Sequence, residues 1–144
     1  MKYLVIFVWC SIPLAAIAGP PASTSVAAGT RVYETDGYGR IRHDRPSWVV
    51  TDKGRVVEVT PYGRRQPHKQ QFAIKGDRIY AADSMGRVQH NKPSWTVRAD
   101  GRVIQNDAFG HPQYHEQQYT VKGSMVYKTG PTGRSMQPAY AIQK

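Results

Sequence analysis

Pairs of apolar residues recur along this chain at a nearly constant distance. A pair that opens each recurrence begins at Val32, Val56, Ile79, Val103 and Val126. Farther along, an aromatic residue stands two positions before an aliphatic one, in Trp48/Val50, Phe72/Ile74, Trp95/Val97, Tyr119/Val121 and Tyr140/Ile142. β-Branched and aromatic residues favour strands, and a spacing of two places both members of a pair on one face. The pattern predicts two strands per recurrence, with one face that carries the rings.

The recurrences are copies of one short unit. The units start at Arg31, Arg55, Arg78, Arg102 and Met125, so the period is 23 or 24 residues and the fifth copy is shortened. Residues 31–77 also align with residues 78–124 without a gap, and about 20 of the 47 positions are identical. This second period of 47 indicates that one unit was duplicated into a pair and that the pair was then duplicated.

Turn residues separate the two strands of each unit. Asp-x-x-Gly occurs at 36–39, 83–86 and 107–110, where aspartate can accept backbone hydrogen bonds and glycine can adopt positive φ. The second segment of a unit runs for about twelve residues, for example 40–51, and contains Pro46. Because proline cannot donate to a β-ladder, we expect a bend there. The part before the bend should pair backwards along the chain and the part after it forwards.

These elements predict an all-β fold, an antiparallel meander of five tandem hairpin units in one domain over residues 31–144. A flat sheet would leave the ring-bearing face in water, which a domain of this size without disulfides cannot tolerate. We therefore expect the meander to coil into a curled sheet, a partly closed barrel or a barrel. Trp48 and Trp95 are then expected in the core rather than against a ligand.

The start of the chain is typical of an exported protein. Lys2 precedes an apolar run to Ala18 that ends in Ala-Ile-Ala, so residues 1–18 are predicted as a cleaved signal peptide. Residues 19–30 are predicted as a flexible leader. Cys10 is the only cysteine and would leave with the signal. We expect a periplasmic or secreted protein that has no disulfide and no stable membrane span after cleavage.

The turn motif resembles the tyrosine–aspartate (YD) repeats of Rhs-type bacterial shells. Tyr33-x-x-Asp36-x-x-Gly39-Arg40 and Tyr80-x-x-Asp83-x-x-Gly86-Arg87 carry the resemblance. It implies strips of β-hairpins that coil into large shells. Five units are too few for such a shell, so the resemblance implies the hairpin and no shell function. The chain is also similar to small exported bacterial proteins built of such hairpins.

The charge of the chain favours a polyanionic partner. The formal net charge is +10 and the pI is about 9.9. Two arginine sets follow the repeat, one after the turn glycine and one at the start of a unit. Together they are the candidate polyanion-binding residues Arg31, Arg40, Arg55, Arg64, Arg78, Arg87, Arg102 and Arg134. Guanidinium groups bind phosphate and carboxylate bidentately. The alternative is that these charges lie at strand ends and only face solvent.

A histidine also recurs in each of the first four units. The four residues are His43, His68, His90 and His115. If they converged, their imidazoles would suit Zn²⁺, Cu²⁺ or Ni²⁺. The alternative is a row of polar surface residues that was copied with the repeat. Equivalent strands with one strand between them are about 10 Å apart, which is too far for two side chains to share a metal unless the sheet coils.

The sequence favours binding over catalysis. Most aspartates belong to turns, and no nucleophile motif or phosphate-binding glycine loop is present. We expect a non-enzymatic exported protein, without a cofactor, that binds an anionic envelope polysaccharide or another envelope component, or a protein partner, at several points. Nucleic acid is the less favoured polyanion. Periplasmic binding of a transition metal through the histidine row is the alternative.

Overall fold

The computed structural model describes residues 27–132, 134 and 137–144, so the predicted signal peptide and most of the predicted leader lie outside the described residues. Ten strands and no helix occur in the described part of the chain. The strands are β1 Arg31–Glu34, β2 Ser47–Val50, β3 Arg55–Val59, β4 Gln71–Lys75, β5 Arg78–Ala82, β6 Ser94–Val97, β7 Arg102–Asn106, β8 Gln118–Lys122, β9 Met125–Thr129 and β10 Gln137–Gln143. The predicted all-β antiparallel meander is confirmed.

The ten strands form one closed barrel. Each strand pairs with its neighbours in sequence, and β10 pairs with β1 to complete the ring. At this seam Val32 lies opposite Ile142, and between the first two units Val56 lies opposite Val50. These positions are equivalent in the repeat, so the seam has the same register as an internal junction. The barrel therefore has five-fold pseudosymmetry, with one unit per fifth of its circumference.

The second strand of each unit is shorter than the pattern predicts. In the first unit the segment 40–51 contains only the four residues of β2, and Pro46 directly precedes them. Ile41 forms an isolated bridge back to Thr35, and the Arg42 amide donates to the Glu34 carbonyl at 2.9 Å. The bend and the backward pairing before it are confirmed. The part after the bend pairs forwards with β3, as expected, and it also pairs backwards with β1.

The rings and their aliphatic partners fill the interior of the barrel. Trp48 and Trp95 are only 6% and 4% exposed, which confirms their place in the core. Edge-to-face contacts join Trp48 to Tyr140 and Phe72 to Trp95, with ring centroids 6.2 and 5.8 Å apart. The second residue of every first strand completes this core. These residues are Val32, Val56, Ile79, Val103 and Val126.

The outer face of the barrel is more buried than the alternation predicts. We call the segments between the two strands of each unit the hairpin tips, numbered one to five: 35–46, 60–70, 83–93, 107–117 and 130–136. The first, third and fourth tips fold outward over the preceding unit. Gln71 on β4 donates to the carbonyl of Ser84 in the third tip at 3.0 Å, and Gly39 of the first tip lies against Met125 across the seam. Outward-facing Val57 and Ile104 are therefore buried.

The ordered barrel begins before the first repeat. Within the stretch predicted as leader, the Gly29 amide donates to the Val50 carbonyl at 2.8 Å, and the Val50 amide donates to the Thr30 carbonyl at 2.9 Å. Thr30 is buried, and its hydroxyl donates to the carbonyl of Ala27. Residues 27–30 thus form a turn that extends the first junction of the sheet.

Candidate functional site: the hairpin tips

The turn at the start of a tip presents its arginine to solvent. In the third tip, Asp83 Oδ1 accepts hydrogen bonds from the amides of Met85 and Arg87, at 3.0 and 2.8 Å. Gly86 has a φ of +79° and donates to the Asp83 carbonyl. The turn thus holds Met85 and Arg87 on either side of the glycine, where both side chains point away from the barrel core and are exposed.

The aspartates of these turns are held ionised. Backbone amides that donate to Asp36, Asp83 and Asp107 lower the pKa of each carboxyl below its ordinary value. An ion pair between Arg87 Nε and Asp83 Oδ2, at 2.9 Å, lowers the pKa of Asp83 further. The carboxylates are therefore structural acceptors within the turns, and part of the arginine charge beside them is neutralised.

The arginines that follow the turn glycine lie on the tips, one in each of four units. Arg40, Arg64, Arg87 and Arg134 are all exposed. The fourth tip differs, because it has His111 at this position, with Nδ1 3.2 Å from Asp107 Oδ2. The fourth unit thus has no arginine at this position.

The arginines that start the units lie on the outer face of the barrel, at the strand ends opposite to those where the tips begin. Three of them are half-buried. Arg55 packs against Gly86 of the third tip, and Arg102 Nη2 donates to Gln118 Oε1 at 3.2 Å. Arg78 lies beside Gly110 of the fourth tip, whereas Arg31 is exposed. The two arginine sets therefore meet at the third tip, because Gly86 directly precedes Arg87.

The second tip carries the strongest positive charge. Arg64, Arg65 and Lys69 are exposed on it, and the sequence has no Asp or Glu between residues 59 and 76. The corresponding turn position is Thr60, whose hydroxyl accepts from the Arg64 amide at 3.1 Å and takes the place of an aspartate without adding charge. The positive charge of this tip is therefore not balanced by an acidic residue of its own.

Exposed apolar side chains accompany the arginines that follow the turn glycine. The residue before the turn glycine is Tyr38, Tyr62, Met85 or Phe109 in the first four units, and its side chain is 65–92% exposed. Arg40 lies over the ring of Tyr38, with Cζ 5.8 Å from the centroid. These residues were not among the candidates from the sequence, although the Asp-x-aromatic-Gly pattern at 36–39 and 107–110 is a signal for two of them.

The histidines do not converge. His43, His68, His90 and His115 are all exposed, and two of them pack edge-on against tyrosines, with centroids 5.7 Å apart for Tyr33–His43 and 5.8 Å for Tyr80–His90. Within the described ranges, no group of three or more His, Cys, Asp or Glu side chains is placed to hold a metal ion. The structure therefore brings no ligand set together along this row.

Polar residues line the inside of the barrel at the end where the tips begin, which we call the mouth. The fourth residue of the first strands faces inward here, and in four units it is polar or charged: Glu34, Glu58, Gln105 and Lys128. Below it, burial raises the pKa of the Tyr140 phenol above its ordinary value, and Tyr119 and Glu34 raise it further. This phenol therefore stays neutral. In the sequence, these inward polar residues can be recognised because each one stands two positions after the inward-facing valine of its strand.

In the described residues, no helix is long and apolar enough to cross a membrane. The chain matches no protein-family model and no curated protein.

Proposed function

We propose that the protein is a non-enzymatic exported protein that binds an anionic polymer of the cell envelope through its hairpin tips. The observation that carries the proposal is the second tip, where Arg64, Arg65 and Lys69 are exposed and no acidic residue lies nearby in the sequence. The post-glycine arginines of the first and third tips extend this positive charge to both sides.

The chemistry of the tips suits a polymer of sugar acids or phosphorylated sugars. Guanidinium groups form bidentate hydrogen bonds with carboxylate and phosphate. Exposed rings such as Tyr38 and Tyr62 offer flat apolar faces beside those cations, on which a sugar ring can pack. Such a combination of aromatic surface and positive charge is the one used for flexible anionic chains.

Repetition around the barrel supports contact at several points. Neighbouring units are two strands apart, which places equivalent tip positions about 10 Å from each other along the circumference. Weak contacts at that spacing add up when one polymer engages several of them. The fourth tip contributes least, because Asp107 and Glu116 give it a negative charge and His111 replaces the arginine. We therefore place the binding face on the first three tips.

Binding to fluorescently labelled polyuronate and to lipopolysaccharide, measured over a range of salt concentrations, tests this proposal. We expect affinity to fall steeply as salt rises, because bound cations release counterions from the polymer. Replacing Arg64, Arg65 and Lys69 with glutamine should weaken binding by roughly tenfold or more at low salt.

The matched control removes the same charge at the other end of the barrel. Lys53, Lys75 and Lys122 lie in or beside the tight turns there and are exposed. Their replacement with glutamine should change binding far less than the triple substitution of the second tip. Equal losses from the two triples would show attraction by net charge alone and would contradict a dedicated face. Tighter binding to an oligonucleotide, or binding only to a protein, would contradict the envelope polymer.

A further inference from the structure

A cavity opens at the mouth of the barrel between the second, third and fourth units. Its volume is about 110 Å³. Phe72 and Trp95 form its floor, Ala81 and Gln105 line its side, and Gln70, Lys92 and Pro93 form an exposed rim. Its floor lies inside the barrel, and its rim is formed by the last residues of the second and third tips.

The cavity exists because one unit departs from the repeat. The inward position at the mouth carries Glu34, Glu58, Gln105 or Lys128 in the other four units, but the third unit has Ala81. Phe72 lies opposite Ala81 in the ladder, and Trp95 lies opposite Gln105. The small side chain thus removes the group that would otherwise cover the Phe72 and Trp95 rings.

The walls combine an apolar floor with groups that can hold an acceptor. The Phe72 and Trp95 rings meet edge to face at 5.8 Å. At the rim, Lys92 Nζ lies 3.4 Å from Gln70 Oε1, so an ammonium group stands over the opening.

We propose that this cavity binds a small organic acid with one aromatic ring or a short branched alkyl group. A cavity of 150 Å³ lined by apolar side chains binds benzene. This cavity is smaller, at about 110 Å³, but it is open at the rim, so a ring can lie on its floor while the polar group of the ligand stays outside. The apolar part of the ligand lies on Phe72 and Trp95, and its carboxylate lies at the rim beside Lys92. Gln105 provides an amide on the facing wall. The floor of this site lies inside the barrel, and only its rim residues Gln70, Lys92 and Pro93 belong to tips of the proposed polymer face.

Titration with benzoate, followed by tryptophan fluorescence, tests the site. The measurement uses the mature chain with Trp48→Phe, so that Trp95 is the remaining tryptophan; Phe72 occupies the equivalent position of the second unit and shows that the fold accepts this ring. We expect a saturable change in Trp95 emission. Ala81→Gln should weaken binding by roughly tenfold or more, because it restores the side chain that Gln105 carries in the next unit.

Lys92→Gln tests the contact with the carboxylate of the ligand separately from the contact with its ring. It should weaken the binding of benzoate and leave the binding of benzyl alcohol, which has the ring without the charge, unchanged. Should Ala81→Gln lose its β-sheet circular dichroism, the smaller Ala81→Val takes its place. Benzoate binding that is unaffected by filling the cavity, or the absence of saturable binding by both probes, would overturn the proposal. Ala81→Gln should also leave polymer binding intact, so the two proposals fail separately.

Discussion

At the scale of single residues, the turns of this protein depend on side-chain oxygens that accept backbone amides. Asp36, Asp83 and Asp107 each accept two amides, and Thr60 performs part of this task with a hydroxyl. Because the carboxylates are exposed, their contribution comes from turn geometry rather than from burial. The protein thus contains its own neutral substitute for the aspartate.

This substitution predicts how stability changes with pH. The folded-state pKa of Asp83 is lowered, so its contribution to stability is present above the unfolded pKa of about 3.9 and is lost as pH falls through the folded value. Asp83→Thr should therefore show a smaller fall in Tm than the wild type between pH 5 and pH 2. Thermal unfolding, monitored by circular dichroism, gives the Tm of the wild type and of the variant at each pH.

Asp83→Ala is the matched variant for this prediction. It removes the acceptor altogether and should lower Tm at pH 7 more than Asp83→Thr does. If the alanine variant kept the wild-type Tm at pH 7, the turn hydrogen bonds would contribute nothing to stability.

At the scale of elements, three tips belong to two units. The first, third and fourth tips join the strands of their own unit and cover the outer face of the preceding one. In the fourth tip, for example, Arg98 Nη2 donates to the Tyr114 phenol oxygen at 2.9 Å. The contact between Arg55 and Gly86 is the clearest case, because a Cβ at position 86 would collide with the guanidinium. Packing between neighbours, as well as the ladder, therefore couples the units.

Alanine substitutions at two glycines separate the free-energy cost of an unfavourable backbone conformation from the cost of disturbing this packing. Gly63 and Gly86 both have positive φ, but a Cβ at position 63 meets nothing within 4 Å. Gly63→Ala should therefore destabilise the protein by about 1 kcal/mol, the usual cost of a left-handed residue with a side chain. Gly86→Ala should cost more in chemical denaturation, since Arg55 must also move.

Arg55→Ala in the Gly86→Ala background is the control. It removes the obstacle and should reduce the extra cost toward that of Gly63→Ala. An equal cost for the two glycine substitutions would show that the third tip does not rest on the second unit.

At the scale of the whole molecule, closure of the ring supplies the stability that a single meander lacks. Val32 and Val126 are fully buried and lie on the strands that flank β10. An open sheet would expose both of them and leave two edges without partners, which promotes aggregation. Because the register is the same at the seam and at the internal junctions, the first and last strands meet at one of five equivalent junctions between units.

This equivalence predicts that a circular permutant folds. A chain that starts at Arg55, continues through Lys144, and is joined by a two-residue linker to Arg31 would end in the turn after β2. Gln143 and Arg31 are paired, so the linker closes a turn of the same length as the one after β2. We expect wild-type circular dichroism and cooperative unfolding.

Deletion of residues 137–144 is the control for the permutant. It removes β10 and should abolish cooperative unfolding, because the barrel cannot close without its tenth strand. A truncated chain that unfolds like the full barrel, or a permutant that fails to fold, would contradict closure with equivalent junctions.

The strands, the turns and the inward rings could be predicted because they follow from neighbours in sequence. A spacing of two residues puts Trp48 and Val50 on the same face of the strand, and Asp83 is close enough along the chain to accept the Arg87 amide. The contact of Arg55 with the third tip could not be predicted, because it depends on which tip folds over the start of each strand. Whether the four histidines converge could not be predicted either, because equivalent positions in the repeat do not fix the distances between their side chains.

The amino-acid sequence alone determined a repeated two-strand unit with an apolar face, because period and turn chemistry act over a few residues. Only the tertiary structure decided that five units close into a ring, that three of the tips cover the outer face, and that Ala81 leaves a cavity. These features depend on the stagger between strands and on contacts such as Arg55 with Gly86, which join residues distant in sequence. A linear pattern records which residues repeat, but the geometry of closure decides which of the copies meet.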